Sequence, residues 1–325
     1  MLVVTPNTCV DITTWLPLLA PGSVVRAPRT VVSAGGKGVN VCRVLRRLGD
    51  AVTLVGYSSD EDDRLGRLLA EEGTAFRPVR HPGPGRLAQI ILEDSGRVTV
   101  INGVGPEVTG ALWQDLLDAV SSQLATAAAP GPVTCSGSLP PGAPVDGYGP
   151  IVDLAHAAGR EAIVDAASAP LAAALAHRPD LVSPNLAEAE GLLLGRADES
   201  VDESGPDVPD RCMAASRSLH ERGARRAVVT GGAAGAALTT RAGTRWFPAL
   251  AVDVVSPIGA GDSFVGGWAH ALTAGLQDDE AMRLAMAVAA ASCETGSAGA
   301  FDPARLPALL DQLAQRRPDP VGETR

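Results

Sequence analysis

The chain has 325 residues, of which 46% are hydrophobic and 3% aromatic, and a formal net charge of -10 from 37 acidic against 27 basic side chains. That apolar content excludes wholesale disorder and calls for an aliphatic core. The acidic balance excludes nucleic acid and anionic membrane surfaces as partners, so an anionic ligand would need a local cluster of cations and backbone N–H groups.

The length suits one large α/β domain or two modest ones. The cysteines Cys9, Cys42, Cys135, Cys212 and Cys293 are odd in number and scattered, with no C-x-x-C spacing. They read as buried small hydrophobes in a reducing compartment, not as a disulfide framework or a zinc site. The opening Met1–Pro6 lacks the features of a signal peptide, and no unbroken apolar run is long enough to span a bilayer. A cytoplasmic location is expected.

In chain order, Leu2–Val4 reads as a buried strand. Ser23–Ser33, rich in Val and Thr, reads as an extra strand outside the main rhythm. Ser33–Asn40 (SAGGKGVN) is a glycine-rich turn opening the helix Val39–Leu48. It is not a P-loop, because Val31 stands where that motif needs Gly and Gly38 where it needs a hydroxyl. Val52–Val55 follows as a strand and Arg64–Glu72 as a helix. Arg86–Ile101 reads as a hairpin around Glu93-Asp94-Ser95-Gly96.

The helix Thr109–Thr126 and the strand Val133–Cys135 come next. Ser136–Gly142 (SGSLPPG) then places hydroxyls and free N–H groups at a strand's carboxyl end, where α/β sheets hold ligands. Pro150–Ala158 is a helix, and Ala162–Val164 and Leu181–Val182 are strands. Asn185 and Glu188, three apart at the start of the helix Ala187–Leu194, can orient water on Mg²⁺ or form a capping box. Asp198–Asp210 is an acidic, proline-containing stretch read as a solvated loop before the helix Met213–Glu221. Ala227–Val229 is a strand, followed by the glycine-rich turn Thr230–Gly235.

In Val252–His270 a β-branched run meets Gly259-Ala260-Gly261, then Asp262, then a helical stretch. Unpaired N–H groups and a positive dipole end at such a turn suit a transferring phosphoryl group. Asp262 is either a first-turn helix acid or a general base taking a proton from an attacking hydroxyl. The five histidines have no metal or triad spacing. Residues 316–325 are expected to be a frayed tail. Strands alternating with helices imply a mostly parallel sheet covered on both faces, and the extra strands imply a small β lid.

Five of these stretches, in this order, resemble the ribokinase/PfkB sugar-kinase family, over essentially the whole chain. The two family signatures appear as Gly35–Asn40 and Ser256–Ser263. Thr5–Asp11, Val24-Val25-Arg26 and Ser136–Gly142 are similar to the branch acting on phosphorylated hexoses. The resemblance implies a ribokinase-like three-layer α/β fold over residues 1–315, with lid strands from about 11–33 and 86–104. It implies an ATP-dependent kinase for fructose 1-phosphate, fructose 6-phosphate or tagatose 6-phosphate. Mg²⁺, an optional monovalent cation such as K⁺, and a homodimer through the lid are expected with it.

Carried over by position, the resemblance implies Asp262 as base and the N–H groups of Gly259, Ala260 and Gly261 as the anion hole. It implies Asp11, Gly36 and Asn40 on sugar hydroxyls. Lys37, Arg86, Ser136 and Ser138 would meet the sugar's phosphate, with Arg26 reaching it from a neighbouring subunit. Asn185 and Glu188 would organise Mg²⁺ through water. Ser183, Thr230, Gly232 and Gly235 would line the ATP site, with Ser292 and Gly299 near the adenine or a monovalent cation. The chain departs from the family at Ser183, where a Lys is usual, and at Leu87–Ile90, where 1-phosphofructokinases carry Asn and Lys. A kinase for an unphosphorylated ketohexose or nucleoside, or a non-catalytic sensor on the same scaffold, are the alternatives.

Overall fold

The structure, a computed structural model, describes residues 1–126, 131–195 and 205–315, and the backbone of 319–320. In chain order the elements are β1 (Leu2–Val4), β2 (Cys9–Leu16), β3 (Arg29–Gly35), α1 (Lys37–Arg47), β4 (Thr53–Ser59), α2 (Arg64–Glu71), β5 (Ala75–His81), β6 (Leu87–Glu93), β7 (Val98–Asn102) and α3 (Gly110–Thr126). They continue with β8 (Val133–Ser136), α4 (Tyr148–Ala157), β9 (Ala162–Asp165), α5 (Ser168–Ala174), β10 (Leu181–Val182), α6 (Leu186–Leu194), α7 (Val208–Glu221) and β11 (Ala227–Thr230). The last are β12 (Gly235–Thr240), β13 (Gly243–Pro248), α8 (Ala260–Thr273), α9 (Asp278–Cys293), α10 (Leu306–Gln315) and β14 (Asp319–Pro320).

The large sheet runs β14-β13-β12-β11-β10-β9-β8-β1-β4-β5 and is parallel from β5 to β11. Its inner parallel strands, such as β1, β8, β9 and β10, are short, mostly apolar runs because both faces are covered. Val3 and Leu54 bury themselves with Val44, Phe264, Trp268 and Met282 on one face. Leu2, Val133 and Val164 do so with Leu116, Ile151 and Leu219 on the other. Few aromatics still supply some of the largest buried side chains, Trp268, Tyr57 and Tyr148 among them.

All six main-sheet strands read from the sequence are present. β5 escapes that reading because Pro78 interrupts it; as the edge strand it can forgo a ladder N–H. Beyond β11 the sheet turns antiparallel, through the hairpin β12–β13. α7 starts at Val208 rather than Met213, since proline is tolerated in a helix's first turn. Of the acidic stretch Asp198–Asp210, residues 198–204 lie outside the described residues. The tail also lies outside them, apart from the backbone of Asp319–Pro320, which pairs with β13.

The second sheet is four-stranded, β3-β2-β6-β7, with β2–β6 parallel and the outer pairs antiparallel. The sequence places its first strand over Ser23–Ser33; the strand begins only at Arg29, and residues 23–28 form an exposed connection. β2, over Cys9–Leu16, is not marked as a strand by the sequence, although the expected lid range begins at residue 11. Its middle is a mix of Thr and Asp, so the alternation that marks a half-buried strand is weak.

Candidate active site

β1 feeds β4 on one side through α1, while β8 lies on β1's other side. The carboxyl ends of β1, β8, β9, β10 and β11 therefore open at a topological switch point, where such sheets bind ligands. The glycine-rich turns sit there because only they let the backbone pass close. Gly36 precedes α1 at φ 109°, in the left-handed region that favours glycine. An added Cβ at Gly38 would strike Thr5 and Val3, so α1 packs directly on β1.

Asp262 lies in the first turn of α8, 7% exposed, after Gly259 at φ 81°. Its Oδ2 accepts from Asn40 Nδ2 on α1 over 2.7 Å. Among the described residues it makes no hydrogen bond to its own helix, so it stands as a first-turn acid of α8 that does not cap it. Burial, then Asp165 and Glu188, raise its pKa to about 7, against the opposing pull of Lys37 and the Asn40 hydrogen bond. A carboxylate at that value is matched to proton abstraction near neutral pH.

The turn before it is open: a Cβ on Gly261 would meet nothing within 4 Å. The Ala260 N–H donates to Pro257 O over 3.2 Å, so it is already engaged within the turn that the sequence expects to form the anion hole.

Lys37 stands among three carboxylates. Its Nζ is 3.4 Å from Asp165 Oδ1 and 3.2 Å from Glu188 Oε1. Burial alone would lower its pKa, but Asp165, Glu188 and Asp262 outweigh that and raise it, so the amine stays charged. Asp165 closes β9 and also accepts from Ser136 Oγ over 3.0 Å. Sequence reasoning misses Asp165. The available signal is its place, the first polar residue after Ala-Ile-Val at the same sheet edge as the other turns.

Asn185 and Glu188 form the capping box that the spacing allows. Asn185 Oδ1 accepts from Glu188 N–H, and Glu188 Oε2 accepts from Asn185 N–H over 3.0 Å. Burial raises the Glu188 pKa, opposed chiefly by Lys37. No set of three or more His, Cys, Asp or Glu among the described residues is placed to hold a metal directly. The donors here are all hard oxygens, and three carboxylates against one Lys leave an excess of negative charge. That chemistry fits Mg²⁺ held through water and nucleotide phosphates.

The other predicted residues divide. Asp11, on β2, faces the cleft between the small sheet, α1 and the 296–300 segment; burial raises its pKa, and Cys9 Sγ lies 3.2 Å from its Oδ1. Arg86 donates to Asn7 O and Gly103 O, each over 2.8 Å, and has no carboxylate partner among the described residues. Asn7 Nδ2 donates to Ser138 Oγ over 3.0 Å, so Arg86 and Ser138 border one cleft. Arg26 lies apart, exposed in the 23–28 connection.

Of the residues expected to line the ATP site, Ser183 ends buried beyond β10, and Thr230 N–H bonds Pro184 O over 3.1 Å. Gly232 and Gly235 shape the turn after β11, with φ 53° and 138°. Ser292 is turned back into α9, its hydroxyl on Ala289 O at 2.7 Å. Gly299 packs instead against α1, where a Cβ would come within 2.7 Å of Asn40 O.

The profile of one family, described as pfkB family carbohydrate kinase, matches residues 4–305. The chain belongs to the pfkB family. It is 32% identical to the 1-phosphofructokinase of Escherichia coli K12, over 95% of this chain and 96% of that one. It is 34% identical to the 1-phosphofructokinase of Rhodobacter capsulatus, over 97% of each. Among solved structures it is similar to phosphofructokinase-2 from Escherichia coli in complex with potassium, with a TM-score of 0.85 and 25% identity over 97% of this chain and 99% of that one. A ribokinase from Arabidopsis thaliana shares the fold, with a TM-score of 0.73 and 23% identity over 95% of this chain and 98% of that one.

As a pfkB kinase the chain is a phosphotransferase with an alcohol group as acceptor, on the ribokinase-like fold that the sequence implies. Family membership implies ATP and Mg²⁺. No described helix is long and apolar enough to cross a membrane.

Proposed function

We propose that the chain transfers the γ-phosphoryl group of ATP to the free hydroxymethyl of a phosphorylated hexose, with fructose 1-phosphate the foremost acceptor. The observation that carries the reading is Asp262: a buried carboxylate poised near neutrality beside an open glycine turn. The names of the 1-phosphofructokinase relatives support the sugar.

In this reading Asp262 takes the proton from the acceptor hydroxyl, and the N-terminus of α8 neutralises charge on the transferring group. Asp11 and Asn40 hold sugar hydroxyls, next to Gly36. Mg²⁺, held through water by Glu188 with Asp165 beside it, would screen the nucleotide phosphates. Lys37, paired to both, sits nearer the transfer point than the sugar's existing phosphate. That phosphate then falls to Arg86, Ser138 and the Arg26 of a second copy. Thr230, Gly232 and Gly235 line the nucleotide, with Ser183 in place of a cation.

The small sheet acts as a lid and as a dimer interface. Val32 and Ile101 on its outer face are 43% and 53% exposed, an apolar surface that a second copy would cover. Phosphofructokinase-2 from Escherichia coli forms a complex with potassium, which supports a monovalent-cation test here.

The test is Asp262→Asn, assayed for ADP release with fructose 1-phosphate, fructose 6-phosphate, tagatose 6-phosphate and free fructose. A loss of about 10²–10⁴ in kcat on the accepted sugar is expected. A loss below about tenfold removes Asp262 as the base, and turnover confined to free fructose removes the phosphorylated acceptor.

A further inference from the structure

We propose that Arg43, held by Glu72, is a positioning residue that fixes the amide of Asn40 and through it the catalytic carboxylate. Asn40 is 8% exposed, and both ends of its amide are engaged. Its Oδ1 accepts from Arg43 Nη1 over 2.8 Å, and its Nδ2 donates to Asp262 Oδ2 over 2.7 Å. An Asn amide can turn over and exchange its donor and acceptor ends. A guanidinium is donor-only, so it accepts just one of the two orientations. Arg43 therefore compels Asn40 to present its N–H₂ to Asp262. In the other orientation a carbonyl oxygen would face the carboxylate.

Arg43 is itself fixed on three elements. Nε donates to Glu72 Oε2 over 2.8 Å and Nη2 to Glu72 Oε1 over 2.6 Å, a bidentate fork at the end of α2. Nη2 also donates to Ala34 O on β3 over 2.7 Å, just before the turn into α1. The 298–299 backbone closes the other side. A Cβ on Gly299 would meet Asn40 O at 2.7 Å and Arg43 Cβ at 3.2 Å, and one on Gly259 would meet Ala298 Cβ at 2.8 Å. The glycine turn before Asp262 and the amide that holds Asp262 thus share one packed support. Arg43 and Glu72 line the cleft that Asp11 also faces, but among the described residues neither hydrogen-bonds Asp262, so their effect on that carboxylate passes through Asn40.

The chemistry follows from the sign of one hydrogen bond. An N–H donated to a carboxylate favours its charged form. The Asn40 bond opposes the burial, Asp165 and Glu188 that push Asp262 upward, and Lys37 acts on the same side as Asn40. These four groups are what faces the carboxylate, from α1, β9 and α6. Losing the fixed amide raises the Asp262 pKa further and frees the carboxylate to swing. Fewer enzyme molecules are then ionised at neutral pH, and the base is less well aimed.

This rests on Asp262 as the base, and the experiment separates the two claims. Measure kcat against pH with fructose 1-phosphate and saturating Mg-ATP for the wild type, Arg43→Met, Glu72→Gln, Asn40→Ala, Arg43→Met with Asn40→Ala, and Asp262→Asn. Arg43→Met should lower kcat at pH 7 by about 10- to 100-fold and move the acid limb to higher pH. In the Asn40→Ala background the same change should move the limb no further. Glu72→Gln keeps the guanidinium and tests the mechanism if Arg43→Met does not fold. Removing a negative charge would by itself lower the Asp262 pKa, whereas loosening the fork raises it, so the limb must move to higher pH. An unmoved limb in Arg43→Met, an equal shift with Asn40 absent, or a limb moved to lower pH in Glu72→Gln overturns the proposal. If Asp262→Asn keeps activity within about tenfold, the base reading fails and the proposal falls with it. If Asp262→Asn is inactive while the Arg43 and Glu72 limbs stay in place, only the positioning claim fails.

Discussion

Asn40 Nδ2 and Asp262 Oδ2 stand 2.7 Å apart, joining α1 to α8 across 222 residues of chain. The bond favours the charged form of the carboxylate against its burial, and it ties the two signature stretches of the family into one unit. A change at either stretch is therefore felt by both.

Asp262 should make the protein less stable as pH rises toward neutrality. Its folded pKa, about 7, lies above the ordinary value of 3.8. The folded state therefore holds a proton that the unfolded state has released between those values, and stability falls with pH across that window. Asp262→Asn removes this dependence. Its melting temperature should exceed the wild type's at pH 8, and the difference should shrink toward pH 4. Thermal unfolding at a series of pH values checks it. In its proposed role as base the activity has the opposite sense, since a base works only when deprotonated.

Gly259→Ala should damage both stability and turnover. The site has φ 81°, and the new Cβ would come within 2.8 Å of Ala298 Cβ. The left-handed backbone costs a non-glycine residue about 1–2 kcal/mol, and displacement of the 298–299 segment adds to it. For a chain of this size that is a drop of several degrees in melting temperature. Gly261→Ala, where the Cβ meets nothing, should cost less stability in the same unfolding experiment.

Arg86→Ala should raise the KM for the sugar phosphate by about tenfold or more, as expected for removing a charge-assisted contact, with the KM for ATP unchanged. Initial rates with each substrate varied in turn distinguish this from a general loss of fold. An unchanged sugar KM would place the phosphate elsewhere.

Val32→Asp with Ile101→Asp should convert a dimer to a monomer, because a charge on a covered apolar face is left without a partner. Light scattering reads the mass directly. A wild-type monomer would remove the lid interface.

How much of the fold was legible depended on whether the signal was local. The parallel strands were readable because burial on both faces makes each a short apolar run, as in Leu2–Val4 and Leu181–Val182. β5 was not, since Pro78 is tolerated only because the strand lies at an edge, a fact of the assembled sheet. β2 was not either, since its Asp11 and Thr13 face a cleft that exists only once the small sheet is in place. In the site, Lys37 carried an expectation drawn from its motif; folding set it instead between Asp165 and Glu188.

The sequence by itself determined the family, the alternation of the main sheet and the glycine turns at its edge, because each is written in a few neighbouring residues whose backbone demands are local. Whether Asp262 caps its helix or acts as a base was not written there. The tertiary structure decided against the cap, by burying the carboxylate among Asp165, Glu188 and Lys37 and giving it Asn40 as a partner. Charge–charge and hydrogen-bond effects act over a few ångströms, and only folding brings residues so far apart in sequence within that range.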